Sequence, residues 1–385
     1  MDSECSDDDI PVPPRPGKTQ RVAEQMLGNA GILVNGPNPW DMRLNAPGVL
    51  ERGLGYGNLG LGEAYMDGDW DAQHLDEFFA RLLRGGIGDA VHPAALIFHA
   101  LSARLLNLQN ERRAWQVGQQ HYDLGNDFYT AMLDPRLTYT CGYWQHADNL
   151  ADAQEAKLDL VCRKLGLQPG MRVLDIGCGW GSFMAYAAEH YGVECVGVTI
   201  SKEQCEWARE RYSHLPLEFR LQDYRELDER FDRIASIGMF EHVGHKNYRV
   251  YMETAHRCLA DEGLFLLHTI GKNQRHSTPD PWVDKYIFPN GDLPSIGQIG
   301  DALDGLFVAE DLHSFGADYD KTLMAWHSNF EAAWPQFAEQ LGERFYRMWR
   351  YYLLSCAGAF RARDIQLWQW VLSRKGLLGG YQRIT

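Results

Sequence analysis

The chain has 385 residues, 45% of them hydrophobic and 23% charged, which suits a folded protein with a sizeable core, built as one large and one smaller domain, and argues against wholesale disorder. Its formal net charge of −15 offers no general attraction for nucleic acid and weakens binding to anionic membranes, so a DNA or RNA partner is disfavoured and any lipid contact must be local. The eight cysteines form no C-x-x-C pair and have no histidines near them at zinc spacing, which predicts free thiols in a reducing cytoplasm and no metal site.

Residues 1–18 are acidic and then proline-rich (Pro11, Pro13, Pro14, Pro16), and read as a mobile tail. Met1 to Ile10 lacks the apolar stretch of a signal peptide, and no run approaches the length of a membrane span, so the expectation is a cytoplasmic protein with peripheral membrane contact at most. Residues 19–120 are expected to form a small, mainly helical domain. Within it, glycines at 53, 55, 57, 60 and 62 predict turns. They do not form a phosphate loop, because no strand precedes them and no Gly-Lys-Ser/Thr follows. A helix carrying Leu96, Ile97, Leu101, Leu105 and Leu106, flanked by Arg104, Arg112 and Arg113, is expected to face the core; contact with lipid headgroups is the alternative.

From about residue 155 the hydrophobic pattern changes. Leu158, Val161, Cys162 and Leu165 mark a helix. A strand over Arg172–Ile176, a helix over Ser182–Tyr191, a strand over Val193–Thr199 and a helix opening at Ser201 follow in turn, with Ser201 and Gln204 spaced as a capping box. Further strands at 217–221, 233–237 and 263–268 alternate with helices. This βαβ spacing predicts a doubly wound, mainly parallel α/β sheet covered on both faces, placed in a catalytic domain over residues 121–385.

The strongest motif is Val173-Leu-Asp-Ile-Gly-Cys-Gly-Trp-Gly181, a buried strand that breaks into glycines and leads into a helix. Gly177, Gly179 and Gly181, with Cys178 among them, let backbone approach a ligand at the carboxyl end of the first strand, where open α/β sheets bind. A dinucleotide site is the alternative, as is a merely tight strand–helix turn. Asp175 favours a cationic ligand such as S-adenosylmethionine over a pyrophosphate, which it would repel. The motif resembles the first motif of class I methyltransferases. That family usually ends its second strand in an acid that holds the ribose; here Thr199 and Gln204 stand in that region instead, and both are retained as ribose-facing candidates. Asp223 is placed to accept from the adenine amino group, with a turn-forming role as the alternative, and Tyr224 follows it.

The resemblance narrows further. His121-Tyr-Asp-Leu-Gly-Asn-Asp-Phe-Tyr129, Tyr139-Thr-Cys-Gly-Tyr-Trp144, Gly238-Met-Phe-Glu-His-Val-Gly244, Leu266-Leu-His-Thr-Ile-Gly271, Tyr286-Ile-Phe-Pro-Asn-Gly291, Phe315-Gly-Ala-Asp-Tyr319 and Cys356 to Trp368 all look like the bacterial cyclopropane-fatty-acyl-phospholipid synthases. The resemblance covers almost the whole chain; only the tail and the residues before about 60 fit it poorly. It implies a seven-stranded methyltransferase sheet, with Tyr139 and Thr140 near the cofactor. It further implies attack of a cis double bond in a phospholipid acyl chain on the cofactor's methyl group, with a carbocation then deprotonated by bound bicarbonate. The residues matching the family's base site are Cys141, Glu241, His268, the backbone of Ile270, and Tyr319. His268 and Tyr319 are expected to donate to the ion, as is the Ile270 amide, while Glu241 accepts its proton or orients His268. Cys356 lies in a predicted helix among small residues, where packing and a nucleophilic role are both open. The resemblance also implies membrane phospholipids as partners, peripheral association with the inner face of the membrane and a homodimer. A methyltransferase for another lipid or small molecule, and an inactive lipid-binding protein, are the alternatives.

Overall fold

A computed structural model describes residues 17–86, 125–275 and 279–385. In chain order the elements are α1 (Lys18–Asn29), β1 (Arg43–Leu44), α2 (Val49–Met66), β2 (Trp70–Asp71), α3 (Leu75–Arg84), α4 (Asn126–Met132), α5 (Leu150–Lys164), β3 (Arg172–Ile176), α6 (Ser182–Tyr191), β4 (Glu194–Thr199), α7 (Lys202–Arg211), β5 (Leu217–Leu221), β6 (Phe231–Ile237), α8 (Tyr248–Cys258), β7 (Leu259–Lys272), α9 (Pro281–Tyr286), α10 (Ile296–Leu303), β8 (Val308–Ser314), α11 (Ala317–Ala333), α12 (Ala338–Ala362) and β9 (Ile365–Ser373). The expected amphipathic helix near Leu96–Leu106 and its flanking arginines lie outside the described residues.

Seven strands form one sheet in the order β5-β4-β3-β6-β7-β9-β8. The pairs from β5 to β7 are parallel, while β9 runs antiparallel between β7 and β8. The doubly wound, mainly parallel fold expected from the sequence is therefore borne out. Winding reverses between β3 and β6, and the carboxyl ends of those two strands open a crevice where such sheets take ligands. Positions 173–176 of β3 are all buried, as a strand covered on both faces by helices requires.

The glycine-rich stretch departs from expectation. It is helical through α2, interrupted at Gly57 with φ 59° and ψ −140°, and does not form a run of turns. A Cβ at Gly60 would overlap the Arg52 carbonyl, and one at Gly62 would overlap the indole of Trp282 on α9. The glycines at 60 and 62 therefore permit close helix packing.

Helices α2 and α3 share an apolar core with α11 and α12. Phe79 meets Tyr351 edge-on at 5.1 Å, and Tyr65 lies 5.5 Å from the same ring. Gly358 lets α12 approach so closely that a Cβ there would sit 2.6 Å from the Asp76 carbonyl oxygen. Arg361 ties the layers together, donating to Asp76 at 2.6 Å and to both carboxylate oxygens of Asp320 at 2.9 Å. Among the described residues, no helix is long and apolar enough to cross a membrane.

Candidate active site

A cavity of about 560 Å³ begins at the carboxyl ends of β3 and β6 and continues to the amino-terminal helices. That volume suits a small-molecule site. Asp175, Gly177, Cys178 and Gly179 line one end, with Tyr139, Thr140, Lys157 and Gln204 beside them. Glu241, Ile270, Tyr319 and Cys356 line the middle. Leu50, Leu54, Phe78, Phe79 and Leu82 make an apolar far wall.

The glycine motif divides its labour. Gly177 (φ 88°) packs on Met239 and Gly181 (φ 82°) on Phe219, so both are needed for close packing. At Gly179 (φ 53°) an added Cβ would meet nothing within 4 Å, so this is the glycine that leaves room at the cavity. Gly181 itself lies outside the lining. At the end of β3, burial raises the Asp175 carboxyl to about 7, with the Lys157 charge pulling the other way, and Oδ1 has no partner among the described residues. Lys157 is itself buried on α5, and burial lowers its ammonium to about 8. Its Nζ donates to Thr140 Oγ1 at 2.8 Å, while Gln154, one turn earlier, donates to the Thr140 carbonyl at 2.7 Å.

Besides Gly181, three further cofactor candidates, Thr199, Asp223 and Tyr224, do not line the cavity. Thr199 Oγ1 accepts from the Ser201 amide at 3.1 Å. Ser201 caps α7 through the Gln204 amide at 3.4 Å, but the Gln204 side chain faces the cavity and does not close the box. Asp223 accepts from the Arg225 amide at 2.9 Å and from its guanidinium at 2.8 Å. It is the cap of the turn Tyr224–Glu226, the turn-forming role left open above, and stands outside the lining. Tyr224 packs against Tyr251 at 5.1 Å.

The five base-site candidates separate into two layers. Glu241, on a 3-10 turn just beyond β6, accepts from the Ile270 amide through Oε1 at 2.7 Å, and Oε2 has no partner among the described residues. Burial raises this carboxyl to about 7 despite the Ile270 hydrogen bond, which pulls it down. The Ile270 amide is thus committed to Glu241, and is not the open donor that was expected. His268, on β7, lies just beneath the lining with Nδ1 3.2 Å from the Gln369 side-chain nitrogen on β9. Gln369, and not Glu241, orients this ring. Burial, reinforced by the Lys157 and Lys164 charges, holds His268 well below its ordinary range, so it is neutral. With the Gln369 amide donating to Nδ1, the ring proton sits on Nε2, which has no partner among the described residues.

Tyr319 lines the cavity and stacks on Phe360 at 4.5 Å. Cys141 is fully buried behind it, donates to the Gly142 carbonyl at 3.2 Å, and is pushed well up by burial and then by Asp318. The Tyr139 and Tyr352 hydroxyls lie 3.0 Å apart. Burial pushes the Cys356 thiol up to about 12, so it is not a thiolate nucleophile. Sequence reasoning missed Lys157 and Gln369. Lys157 did carry a signal, since it falls on the same helical stripe as Gln154, Leu158 and Val161, where a lysine is out of place. Gln369 carried none before β9 was known.

A doubly wound sheet of this order, with a glycine-lined cavity at the carboxyl end of β3, defines the fold of S-adenosylmethionine-dependent methyltransferases. Residues 109–370 match the family described as mycolic acid cyclopropane synthetase, and the chain belongs to that family. It is an enzyme, a methyltransferase, as its motifs implied. The chain is 55% identical over 355 residues to the cyclopropane-fatty-acyl-phospholipid synthase of Escherichia coli (strain K12), covering 92% of this chain and 93% of that protein. It is 37% identical over 275 residues to cyclopropane mycolic acid synthase 1 of Mycobacterium tuberculosis (strain ATCC 25618 / H37Rv), covering 66% of this chain and 96% of that one. The crystal structure of mycolic acid cyclopropane synthase CmaA1 complexed with SAH and CTAB superposes with a TM-score of 0.64 at 36% identity, over 68% of this chain and 98% of that chain.

Proposed function

We propose that the protein transfers a methylene group from S-adenosylmethionine to the cis double bond of unsaturated phospholipid acyl chains, closing a cyclopropane ring. The observation that carries this reading is the continuity of the cavity, which joins Asp175 and Gly179 to the apolar wall of Leu50, Phe78 and Leu82 past Glu241. Gly179 leaves space and Asp175 supplies a carboxylate oxygen without a partner among the described residues at one end, which fits a cationic nucleoside. When bound, S-adenosylmethionine supplies an activated methyl group. The apolar wall accepts the acyl chain and keeps water from the reacting carbons, where it would trap a cation as an alcohol.

The ring closes only if a proton leaves the newly added carbon. Glu241 Oε2 and His268 Nε2 are buried polar atoms without partners among the described residues. One can accept a proton and the other donates, which fits a small acid–base guest such as bicarbonate. When bound, bicarbonate would supply the proton acceptor. His268 and Ile270 are two residues apart on β7, about 7 Å along the strand. Glu241, bonded to Ile270, therefore lies near His268. In this reading neutral His268 and the Tyr319 hydroxyl donate hydrogen bonds to the ion, and as the ion takes the proton released by the added carbon, Glu241 accepts the ion's own hydroxyl proton. Its raised carboxyl is suited to doing so near neutral pH. Cys141 supports Tyr319 from behind. Lipid reaches the cavity by peripheral docking at the membrane's inner face, with a homodimer as the assembly.

The test is incubation of the purified protein with S-adenosylmethionine and vesicles of cis-unsaturated phospholipid, followed by mass spectrometry of the acyl chains. Chains heavier by one methylene and lacking the double bond are expected. Unaltered chains, or label found on headgroups, would overturn the proposal.

A further inference from the structure

The cavity wall contains a charged group that the reaction as derived does not use. Lys157 is 1% exposed, lines the cavity, and faces the same end as Asp175. A lysine ammonium carries donors only, so in its 2.8 Å contact the Thr140 oxygen must accept. The hydroxyl proton of Thr140 is then directed away from Lys157 and is free to donate to a ligand. Two further observations show that this pair is held in place. Gln154 grips the Thr140 carbonyl at 2.7 Å from the same face of α5. Gly238 accommodates the Thr140 methyl so closely that a Cβ there would contact it at 2.5 Å. Beside these donors, Asp175 Oδ1 is buried without a partner among the described residues. One end of the cavity thus presents an acceptor carboxylate next to two donors, one of them cationic. That pattern matches an α-amino acid, whose ammonium and carboxylate are carried on one carbon.

We propose that Lys157, with the Thr140 hydroxyl it orients, binds the carboxylate of the cofactor's amino-acid end, while Asp175 receives its ammonium group. The inference rests on the S-adenosylmethionine reading above. It makes Lys157 a binding residue, where a bare counter-ion would only balance Asp134 and Asp175. The two roles differ in what they discriminate. A counter-ion stabilises the fold and affects all ligands alike, whereas a carboxylate partner distinguishes ligands with and without that group.

The experiment is calorimetric titration of wild type, Lys157→Met and Thr140→Val with S-adenosylhomocysteine and with its descarboxy analogue, which keeps the ammonium. Wild type should prefer the carboxylate-bearing ligand by about ten- to a hundredfold, the range for losing a charge-assisted hydrogen bond. Lys157→Met should abolish that preference while binding the descarboxy analogue within about threefold of wild type. Equal weakening toward both ligands, or a preference that survives in Lys157→Met, overturns the inference. If Lys157→Met shows no cooperative unfolding transition, Thr140→Val decides: a reduced preference supports the proposal and an unchanged one overturns it. Failure of wild type to bind either ligand would overturn the cofactor reading beneath it.

Discussion

Glu241→Gln is expected to lower activity while shifting the stability of the protein in a pH-dependent way. Burial raises the wild-type carboxyl from 4.5 to about 7. Well below pH 4.5 the group is protonated in both folded and unfolded chains and has no effect. As pH rises from there to about 7, the unfolded chain releases the proton while the folded chain retains it, so stability falls. Above that range the full cost, about 3 kcal/mol, is present. Glutamine keeps an oxygen for the Ile270 amide at 2.7 Å and is neutral throughout. Its amide nitrogen would occupy the place of the unpartnered Oε2, at a cost of about 1–3 kcal/mol that does not change with pH. The diagnostic is therefore the slope. Urea denaturation should show the difference between variant and wild type moving in the variant's favour by about 2 kcal/mol between pH 5 and pH 8. Cyclopropanation should fall about a hundredfold to ten-thousandfold, the usual cost of removing a positioned proton acceptor, with S-adenosylhomocysteine affinity within about threefold. Parallel stability curves for the two proteins, or full activity of the variant, would refute the argument.

Gly179→Val should remain folded, losing about 1–2 kcal/mol to its positive φ, and should bind S-adenosylhomocysteine at least about a hundredfold more weakly by calorimetry; wild-type affinity would show that the cofactor lies elsewhere. Cys356→Ala should retain activity within about threefold, because the thiol is protonated and takes no covalent part; loss of activity with normal cofactor binding would contradict that. Arg361→Ala should lower stability by about 1–3 kcal/mol while leaving one cooperative thermal transition, since α3, α11 and α12 share a core. Two separate transitions in calorimetry would show that the amino-terminal helices fold independently.

Local pattern was enough for the centre of the fold. β3, α6 and β5 fall within the limits read from the sequence, because an apolar run, a glycine break and the apolar–polar alternation of Leu217–Leu221 are signals contained in a few neighbouring residues. The same strand–glycine–helix order locates Asp175 and Gly179 at the carboxyl end of β3, where both line the cavity. The helicity of α2 was not legible, since whether glycine makes a turn or a close contact depends on what packs against it, and Trp282 arrives from more than two hundred residues away.

The site shows the same division more sharply. Motifs singled out Glu241, Ile270, Tyr319 and His268 together; the structure lines one cavity with the first three and leaves His268 out of the lining. Which atoms are already bonded was decided by tertiary structure. The Ile270 amide is taken by Glu241 from 29 residues away, and His268 is held by Gln369 from 101 residues away. Lys157 acquires meaning only when α5 closes on Thr140 and Asp175. Residue types and short-range periodicity are written along the chain. Burial, hydrogen-bond partners and the pKa values they set arise between segments distant in sequence, and exist only once the chain has folded.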